Sequence, residues 1–157
     1  MRREIDLIVV HHSAGWGGTF EEIRNLHVKG NGWSDIGYHA IITNGKDIGG
    51  KLSSDAPLGM LFRGRPEQTP GAHCRGSNRS SLGVCVIGNF ETMPANNEQT
   101  QTLTYLLREW CQRYNLPCDT SVIVGHKEVH GHHSNSCPGI NLFLQLPRII
   151  RHAAKVM

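Results

Sequence analysis

Two apolar runs constrain the fold of this chain more than any other feature of its sequence. The first lies within Ile5 to His11 and ends before the small residues 13 to 15. The second extends from Leu82 to Ile87 and ends at Gly88. Strands that are apolar on both faces are typical of the centre of a sheet that is covered on both sides. We therefore expect two buried central strands, with His11 at the end of the first.

Three segments have helical patterns. Thr19 and Glu22 have the spacing of a capping box, and apolar residues follow at helical spacing until Gly30. A regular apolar stripe predicts a helix from Glu98 to Tyr114, and Cys111 falls on that stripe, so we interpret Cys111 as a core residue. Apolar residues on one face after Pro147 predict a closing helix.

A further strand is predicted from Tyr38 to Thr43, and the Asn44-Gly45 pair after it is a hairpin turn signal. Two segments can supply the partner strand, because Lys46 to Ile48 is adjacent and Gly59 to Arg63 is more apolar. We favour Gly59 to Arg63. Residues 44–58 then form a long loop, which is uncommon without a function such as binding.

These elements predict one α/β domain over residues 1–157, with a central mixed sheet flanked by helices. A short strand over Ser121 to Gly125 completes the pattern of strands alternating with helices. The chain has 157 residues, 38% of them hydrophobic and 18% charged, and this composition favours neither disorder nor a fibrous structure.

The charge and the amino-terminal residues limit the possible partners. A net charge of +3 suits a polyanionic partner but is too small to indicate nucleic acid. Glu4 and Asp6 interrupt the amino-terminal apolar stretch, and the run from Leu7 to Val10 is too short for a signal peptide. We expect neither an export signal nor a membrane span.

Histidine and cysteine residues indicate a candidate zinc site. His11 and His126 lie at the ends of apolar strands, and Cys137 precedes Pro138-Gly139 on a turn. Two imidazoles and one thiolate would hold a catalytic zinc ion and leave one position for water. A lone histidine beside a strand is more often structural, however, and His130, His132 and His133 are equally consistent with an adventitious surface site or a solvated loop. The five cysteines are an odd number without regular spacing, and without a secretion signal we expect reduced thiols.

Seven short segments, in order along nearly the whole chain, resemble one known family. They are Val9-Val10-His11-His12-Ser13-Ala14, Gly32-Trp33-Ser34-Asp35-Ile36-Gly37-Tyr38-His39, Gly64-Arg65-Pro66, Gly71-Ala72-His73, Ser81-Leu82-Gly83-Val84, Gly125-His126-Lys127-Glu128-Val129 and Cys137-Pro138-Gly139. The family is that of the zinc-dependent amidases which include the bacteriophage lysozyme of amidase type and the peptidoglycan recognition proteins. Residues 44–58 have no counterpart in it and are interpreted as a loop insertion.

The resemblance implies a fold like that of the peptidoglycan recognition proteins and hydrolysis of the bond between N-acetylmuramic acid and L-alanine in bacterial peptidoglycan. It implies that His11, His126 and Cys137 hold Zn²⁺ and that Tyr38 assists the reaction beside the metal. Residues expected on the substrate side are Trp33, Arg65 and His73. We expect a monomer whose partner is peptidoglycan.

The sequence departs from the family pattern at two positions in the site. Amidases of this type often have lysine or threonine two residues before the cysteine ligand, where this chain has Asn135. Either Asn135 takes the role of oxyanion partner or His133 supplies a proton from the same loop. A branch of the family that recycles peptidoglycan in the cytoplasm has glutamate where this chain has Cys85, so Cys85 is interpreted as packing.

Two other functions stay open at this point. Relatives without the cysteine ligand bind peptidoglycan without cutting it, but Cys137 argues against that function here. The second is a regulatory protein that acts by binding a partner, and nothing in the sequence indicates a surface for such a partner. An amidase without an export signal is most simply a phage or prophage endolysin, which stays in the host cytoplasm until lysis, although a bacterial effector is an alternative.

Overall fold

Five strands and three α-helices form the part of the chain described by a computed structural model, residues 2–155. The strands are β1 (Leu7–His12), β2 (Ala40–Ile42), β3 (Leu61–Arg63), β4 (Ser81–Val86) and β5 (Ile123–Gly125). The helices are α1 (Phe20–Asn25), which continues into a π-helical turn at Leu26–Gly30, α2 (Asn97–Arg113) and α3 (Ile140–Ala154).

The strands form one mixed sheet in the order β3-β2-β4-β1-β5. The two predicted buried strands, β1 and β4, are parallel neighbours in which Leu7 pairs with Ser81, and β5 is parallel to β1 on its other side. β2 is parallel to β4, whereas β3 is antiparallel to β2. The ends of β1, β4 and β5 therefore meet at one edge of the sheet. The predicted mixed α/β fold is confirmed.

The two faces of the sheet are covered differently, because side chains alternate along each strand. Ile8 and Val10 of β1 lie in the main core, beneath α2 and α3. Trp110 and Cys111 of α2 are fully buried in the same core, as the apolar stripe predicts for Cys111. Val9 lies on the opposite face in a smaller cluster. The residue after Val10, His11, therefore also points away from the main core.

Local sequence signals account for where the first two helices begin. The Thr19 side chain accepts a hydrogen bond from the backbone N–H of Glu22, and the Glu22 carboxylate accepts one from the N–H of Thr19, which confirms the predicted capping box before α1. The Asn96 side chain accepts a hydrogen bond from the N–H of Gln99 and caps α2 by this single bond.

The closing helix differs from its prediction, because α3 begins at Ile140 and Pro147 lies inside it. Proline removes one hydrogen bond of a helix interior and costs about 3 kcal/mol there. Leu142 and Leu146 are buried with the predicted apolar face of the helix. Burying two leucine side chains contributes about 3 to 6 kcal/mol, which is enough to offset the proline.

The partner of β2 is the segment that the sequence favours, since β3 lies within Gly59 to Arg63 and pairs antiparallel with β2. Within residues 44–58, Lys46 and Leu52 form an isolated bridge. The N–H of Gly18 donates to the carbonyl of Lys46, so this loop packs beside the segment that follows β1. Over residues 2–155, no helix has the length and apolar character to cross a membrane.

Candidate functional site

His11, His126 and Cys137 come together at the edge of the sheet where the parallel strands end. His11 is the second-to-last residue of β1, and His126 is the first residue after β5. Val10 pairs with Gly125, so the two histidines directly follow a pair of residues in register. One ligand atom from each histidine and the Cys137 sulfur all lie within 4.8 Å of one another.

The spacing of these atoms fits a zinc ion. His11 Nδ1 lies 3.8 Å from Cys137 Sγ. Zn–N bonds of about 2.05 Å and a Zn–S bond of about 2.3 Å in tetrahedral geometry place the two atoms about 3.6 Å apart. The backbone N–H of His12 donates to Cys137 Sγ over 3.3 Å, which favours a negatively charged sulfur. Two imidazoles and a thiolate leave a fourth position for water or substrate.

His12 is excluded from this group by its position in the strand. Its side chain points to the face opposite to that of His11, where its Nδ1 accepts a hydrogen bond from the N–H of Phe90 over 3.1 Å. Its ring also packs beside the Phe90 ring, with the centroids 6.0 Å apart. His12 is a buried residue whose polar atom has a partner, which is the ordinary structural role of a histidine.

Burial keeps the candidate ligands uncharged when no cation is present. Desolvation lowers the pKa of His11 well below its usual value, and the neighbouring histidines lower it further. Burial also lowers the pKa of His126 to about 4. Burial raises the pKa of the Cys137 thiol to about 11. The histidines are therefore in the neutral form that binds metal, and a bound cation would favour loss of the Cys137 proton.

Tyr38 lies beside this group, just before β2. Its ring centroid is 5.2 Å from that of His11, and the planes are tilted by 55°. Burial raises the pKa of Tyr38 well above its usual value, and the neighbouring thiols of Cys85 and Cys137 raise it further. Tyr38 therefore stays protonated and can donate a hydrogen bond. Cys85 is buried in the cluster against which Tyr38 packs.

A second imidazole lies behind each histidine of the group. His73 Nδ1 is 2.9 Å from His11 Nε2, and His73 Nε2 is 3.2 Å from Ser81 Oγ. His132 Nδ1 is 3.0 Å from His126 Nε2. His73 thus contacts a candidate ligand directly, and its predicted contact with substrate stays a prediction.

The other two predicted substrate residues are Trp33, which is joined to Tyr38 through the His27 ring, and Arg65, which holds loops together. The His27 ring lies between Trp33 and Tyr38, with centroid distances of 4.9 and 5.5 Å. The Arg65 guanidinium donates to three backbone carbonyls, which belong to Ile36, Pro70 and Asp35. In this structure Arg65 joins two loops, and its contact with substrate stays a prediction.

Asn135 and His133 occupy different environments in the loop before Cys137. The Asn135 Oδ1 accepts the backbone N–H of Cys137 over 2.9 Å, and its amide nitrogen donates to the His132 carbonyl over 2.6 Å. His133 is exposed, and its Nδ1 lies 2.9 Å from the carbonyl oxygen of Lys127. Asn135 therefore bonds directly to the backbone of Cys137, whereas His133 bonds to the backbone of Lys127. The catalytic role of either residue stays a prediction.

The structure also brings together a group that the sequence does not indicate. Cys74, His126 and His132 have ligand atoms within 4.8 Å of one another, so His126 belongs to both groups of three found in residues 2–155. Cys74 is buried and burial raises the pKa of its thiol. No spacing signal links Cys74 to His132, because they meet only where two loops pack together.

Comparisons with known proteins relate this chain to one family. The model of the N-acetylmuramoyl-L-alanine amidase family matches residues 1–140. The endolysin of Escherichia phage T7 is 32% identical over 149 residues, which cover 90% of this chain and 85% of that protein. Peptidoglycan-recognition protein SC2 of Drosophila simulans is 27% identical over 146 residues, which cover 88% of this chain and 70% of that protein. The solved structure of the N-acetylmuramoyl-L-alanine amidase LysC from Clostridium intestinale superposes with a TM-score of 0.77 at 29% identity, and covers 95% of this chain and 87% of that one.

Proposed function

The chain belongs to the N-acetylmuramoyl-L-alanine amidase family, and from this we propose that it hydrolyses the amide bond between N-acetylmuramic acid and L-alanine in bacterial peptidoglycan. The observation that carries the proposal is the group of His11, His126 and Cys137, whose ligand atoms lie within 4.8 Å of one another. A protein that only bound peptidoglycan would need no such group. The three residues hold a zinc ion in this proposal.

Zinc bound by these residues supplies Lewis acidity, which activates a water molecule for attack and polarises the scissile carbonyl. The protein fixes where this chemistry takes place. His11 and His126 are held by paired strands, and the Cys137 sulfur accepts the N–H of His12. A site on rigid elements keeps its donor atoms in place without the reorganisation that would otherwise oppose the reaction.

Tyr38 stabilises the negative charge that develops on the carbonyl oxygen during attack. Its ring packs 5.2 Å from that of His11, and its raised pKa keeps the phenol protonated at neutral pH. A protonated phenol in a buried site donates a stronger hydrogen bond than it would in water. Removing one such donor from an active site typically costs about 3 kcal/mol of transition-state stabilisation.

Asn135 acts through the turn that carries Cys137. Its Oδ1 accepts the Cys137 N–H, and this bond orients the peptide that leads to the thiol. The 2.6 Å bond to the His132 carbonyl uses one of the two hydrogens of the Asn135 amide, and the second is the one that could donate to substrate directly. His133 lies in the same loop on the exposed side and is the alternative proton donor to the leaving amine.

Substrate binding in this proposal uses the surface that extends from Tyr38 to Trp33, with His73 and Arg65 at its margin. The loop of residues 44–58 extends the binding surface past the end of β1, where Ile48 and Leu52 are exposed. Deleting residues 46–56 is expected to weaken binding to purified walls, and unchanged binding and lysis would contradict this role of the loop.

The proposed biological setting is lysis of a bacterial wall by a monomeric phage or prophage endolysin. The relatives that match most of this chain include phage endolysins, which supports this setting. Such an enzyme stays in the host cytoplasm until a separate event gives it access to the wall. Nucleic acid and membrane lipid are not partners in this proposal.

The test is digestion of purified peptidoglycan with zinc-loaded and with chelator-treated protein, followed by mass spectrometry of the products. We expect new L-alanine amino termini on intact glycan strands, their loss on chelation and their return with zinc. Cys137→Ser is expected to abolish cleavage. Cys118→Ser, which lies against the main core away from the site, is the matched control and is expected to keep it.

Three results would contradict the proposal in different ways. Binding without cleavage by the zinc-loaded protein would indicate a recognition module. Cleaved glycan strands would indicate a different reaction. Full cleavage by Cys137→Ser would remove the zinc assignment while leaving the amidase assignment in place.

A further inference from the structure

The imidazole of His126 is hydrogen-bonded to a second imidazole, which is itself bonded to the backbone. His126 Nε2 lies 3.0 Å from His132 Nδ1. His132 Nε2 lies 2.8 Å from the carbonyl oxygen of Arg75. These two contacts form a continuous chain from a backbone carbonyl, through His132, to a residue of the candidate zinc site.

The direction of this hydrogen-bond chain follows from the chemistry of its first member. A carbonyl oxygen only accepts, so the proton of neutral His132 must be on Nε2. The Nδ1 of His132 then has a lone pair and accepts from His126 Nε2–H. The proton of His126 is thereby placed on Nε2, and its remaining lone pair is on Nδ1. The Arg75 carbonyl thus selects which nitrogen of His126 is free to bind a metal.

We propose that His132 is a positioning residue that fixes the tautomer and ring orientation of His126 for zinc binding through Nδ1. This inference rests on the zinc site proposed above and extends it to a residue that does not itself touch the metal. Partners of this kind in other zinc sites typically contribute 10- to 100-fold in metal affinity.

The backbone around His132 is held firmly enough for this role. The N–H of His132 donates to the carbonyl of Val129, whose side chain is buried, and closes the turn that follows His126. On the other side, the backbone N–H groups of His73 and Cys74 both donate to the Asn78 side chain. This turn holds the segment that presents the Arg75 carbonyl.

A role for His132 as a zinc ligand, together with Cys74 and His126, fits the distances less well. Two nitrogens on one tetrahedral zinc ion are about 3.3 Å apart. The His126 and His132 nitrogens are 3.0 Å apart, which is an ordinary hydrogen-bond distance. The bond from His132 Nε2 to the Arg75 carbonyl leaves a lone pair on Nδ1 in either arrangement, so the separation of the two nitrogens decides between them.

Three variants separate positioning from packing and ligation. His132→Phe keeps a ring but removes both nitrogens. His132→Asn places an amide oxygen near the position of Nδ1 and so keeps an acceptor for His126. His130→Phe makes the same ring substitution at an exposed histidine in the same loop and is the matched control.

The measurements are the zinc dissociation constant and stoichiometry, from competition with a chromophoric chelator, and the histidine tautomers of the zinc-free protein, from long-range ¹H–¹⁵N NMR correlations. We expect His132→Phe to bind zinc about 10- to 100-fold more weakly with unchanged stoichiometry. His132→Asn should recover most of this loss, and His130→Phe should bind as the wild type does. His132 and His126 should both be protonated on Nε2.

The outcomes that overturn the inference are distinct from those that overturn the zinc site. Wild-type affinity in His132→Phe, or a proton on His132 Nδ1, would remove the positioning role alone. A loss of affinity in His132→Phe that His132→Asn does not recover would indicate that His132 is a ligand instead. A wild-type protein that binds no zinc would remove the proposed site and the inference together. If His132→Phe fails to fold, the tautomers and His132→Asn still decide, since loss of affinity in His132→Asn would contradict the role.

Discussion

Replacing Tyr38 by phenylalanine is the most direct test of the proposed mechanism, because it removes one hydroxyl and keeps the ring. The ring contacts with His11 and His27, at centroid distances of 5.2 and 5.5 Å, remain available to phenylalanine. The zinc ligands are unchanged. We therefore expect Tyr38→Phe to fold normally and to bind zinc with wild-type affinity.

The expected effect on kcat follows from the burial of Tyr38. Desolvation raises its pKa well above the usual value, so the phenol is protonated at every pH at which the enzyme would work. A hydrogen bond from a buried donor to a developing oxyanion contributes about 3 kcal/mol, which corresponds to about a 100-fold reduction in kcat when it is lost. The KM should change little, because the charge on the oxygen develops only in the transition state.

The assay is the rate of L-alanine amino-terminus formation from a soluble muropeptide at saturating concentration, with zinc content measured on the same samples. Tyr105→Phe is the matched control, because Tyr105 lies on α2 with 57% of its surface exposed, and it should retain wild-type kcat. Wild-type kcat in Tyr38→Phe would refute the oxyanion role. A loss of zinc that accounts for the loss of rate would show instead that Tyr38 supports the metal site.

Three further predictions concern stability and its pH dependence. Gly83→Ala places a Cβ 2.5 Å from the His73 ring. It should lower the free energy of unfolding in urea by about 1 to 3 kcal/mol and weaken zinc binding. An unchanged unfolding midpoint would contradict the close packing. Burial lowers the pKa of His39 to about 4, so the unfolded chain binds a proton below pH 6.5 that the folded protein does not, and stability falls as the pH falls. Between pH 7 and 5 this residue should account for about 2 kcal/mol of that loss, and His39→Gln should show a correspondingly shallower pH dependence in urea unfolding. Thr19→Ala removes half of the capping box and should cost about 1 kcal/mol in the same measurement, whereas an unchanged midpoint would show that tertiary packing alone holds α1.

The fold could be predicted from the sequence where local patterns decide it. Continuous apolar runs give β1 and β4, and the capping box gives the start of α1, since both signals act over a few residues. The start of α3 could not be predicted from Pro147. Its position depends on how much apolar surface Leu142 and Leu146 bury, and that quantity is set by the neighbouring helix α2.

The candidate site could be predicted only where its residues belong to local sequence motifs. His11, His126 and Cys137 occur in motifs, so sequence resemblance points to them. For His132 the sequence indicates only a solvated loop or an adventitious site, because its two partners lie 6 and 57 residues away in the chain. Hydrogen bonds between loops have no periodic signal in sequence. The choice between His11 and His12 likewise depends on which face of β1 carries the main core.

Backbone hydrogen bonds hold the three candidate ligands in place without the metal. Val10 and Gly125 pair in the sheet, which sets the spacing of His11 and His126. The N–H of Lys127 donates to the Cys137 carbonyl, so the turn after β5 is joined directly to the turn that carries the thiol.

Gly125 permits this close approach, since a Cβ there would lie 2.8 Å from the ring of Pro138. A substitution at Gly125 would therefore separate His126 from Cys137 without altering either residue. We expect Gly125→Ala to reduce the free energy of zinc binding, measured by chelator competition, by more than it reduces the free energy of unfolding of the zinc-free protein, measured in urea. Equal losses of free energy in the two measurements would show that the glycine serves the fold as a whole rather than the spacing of the ligands.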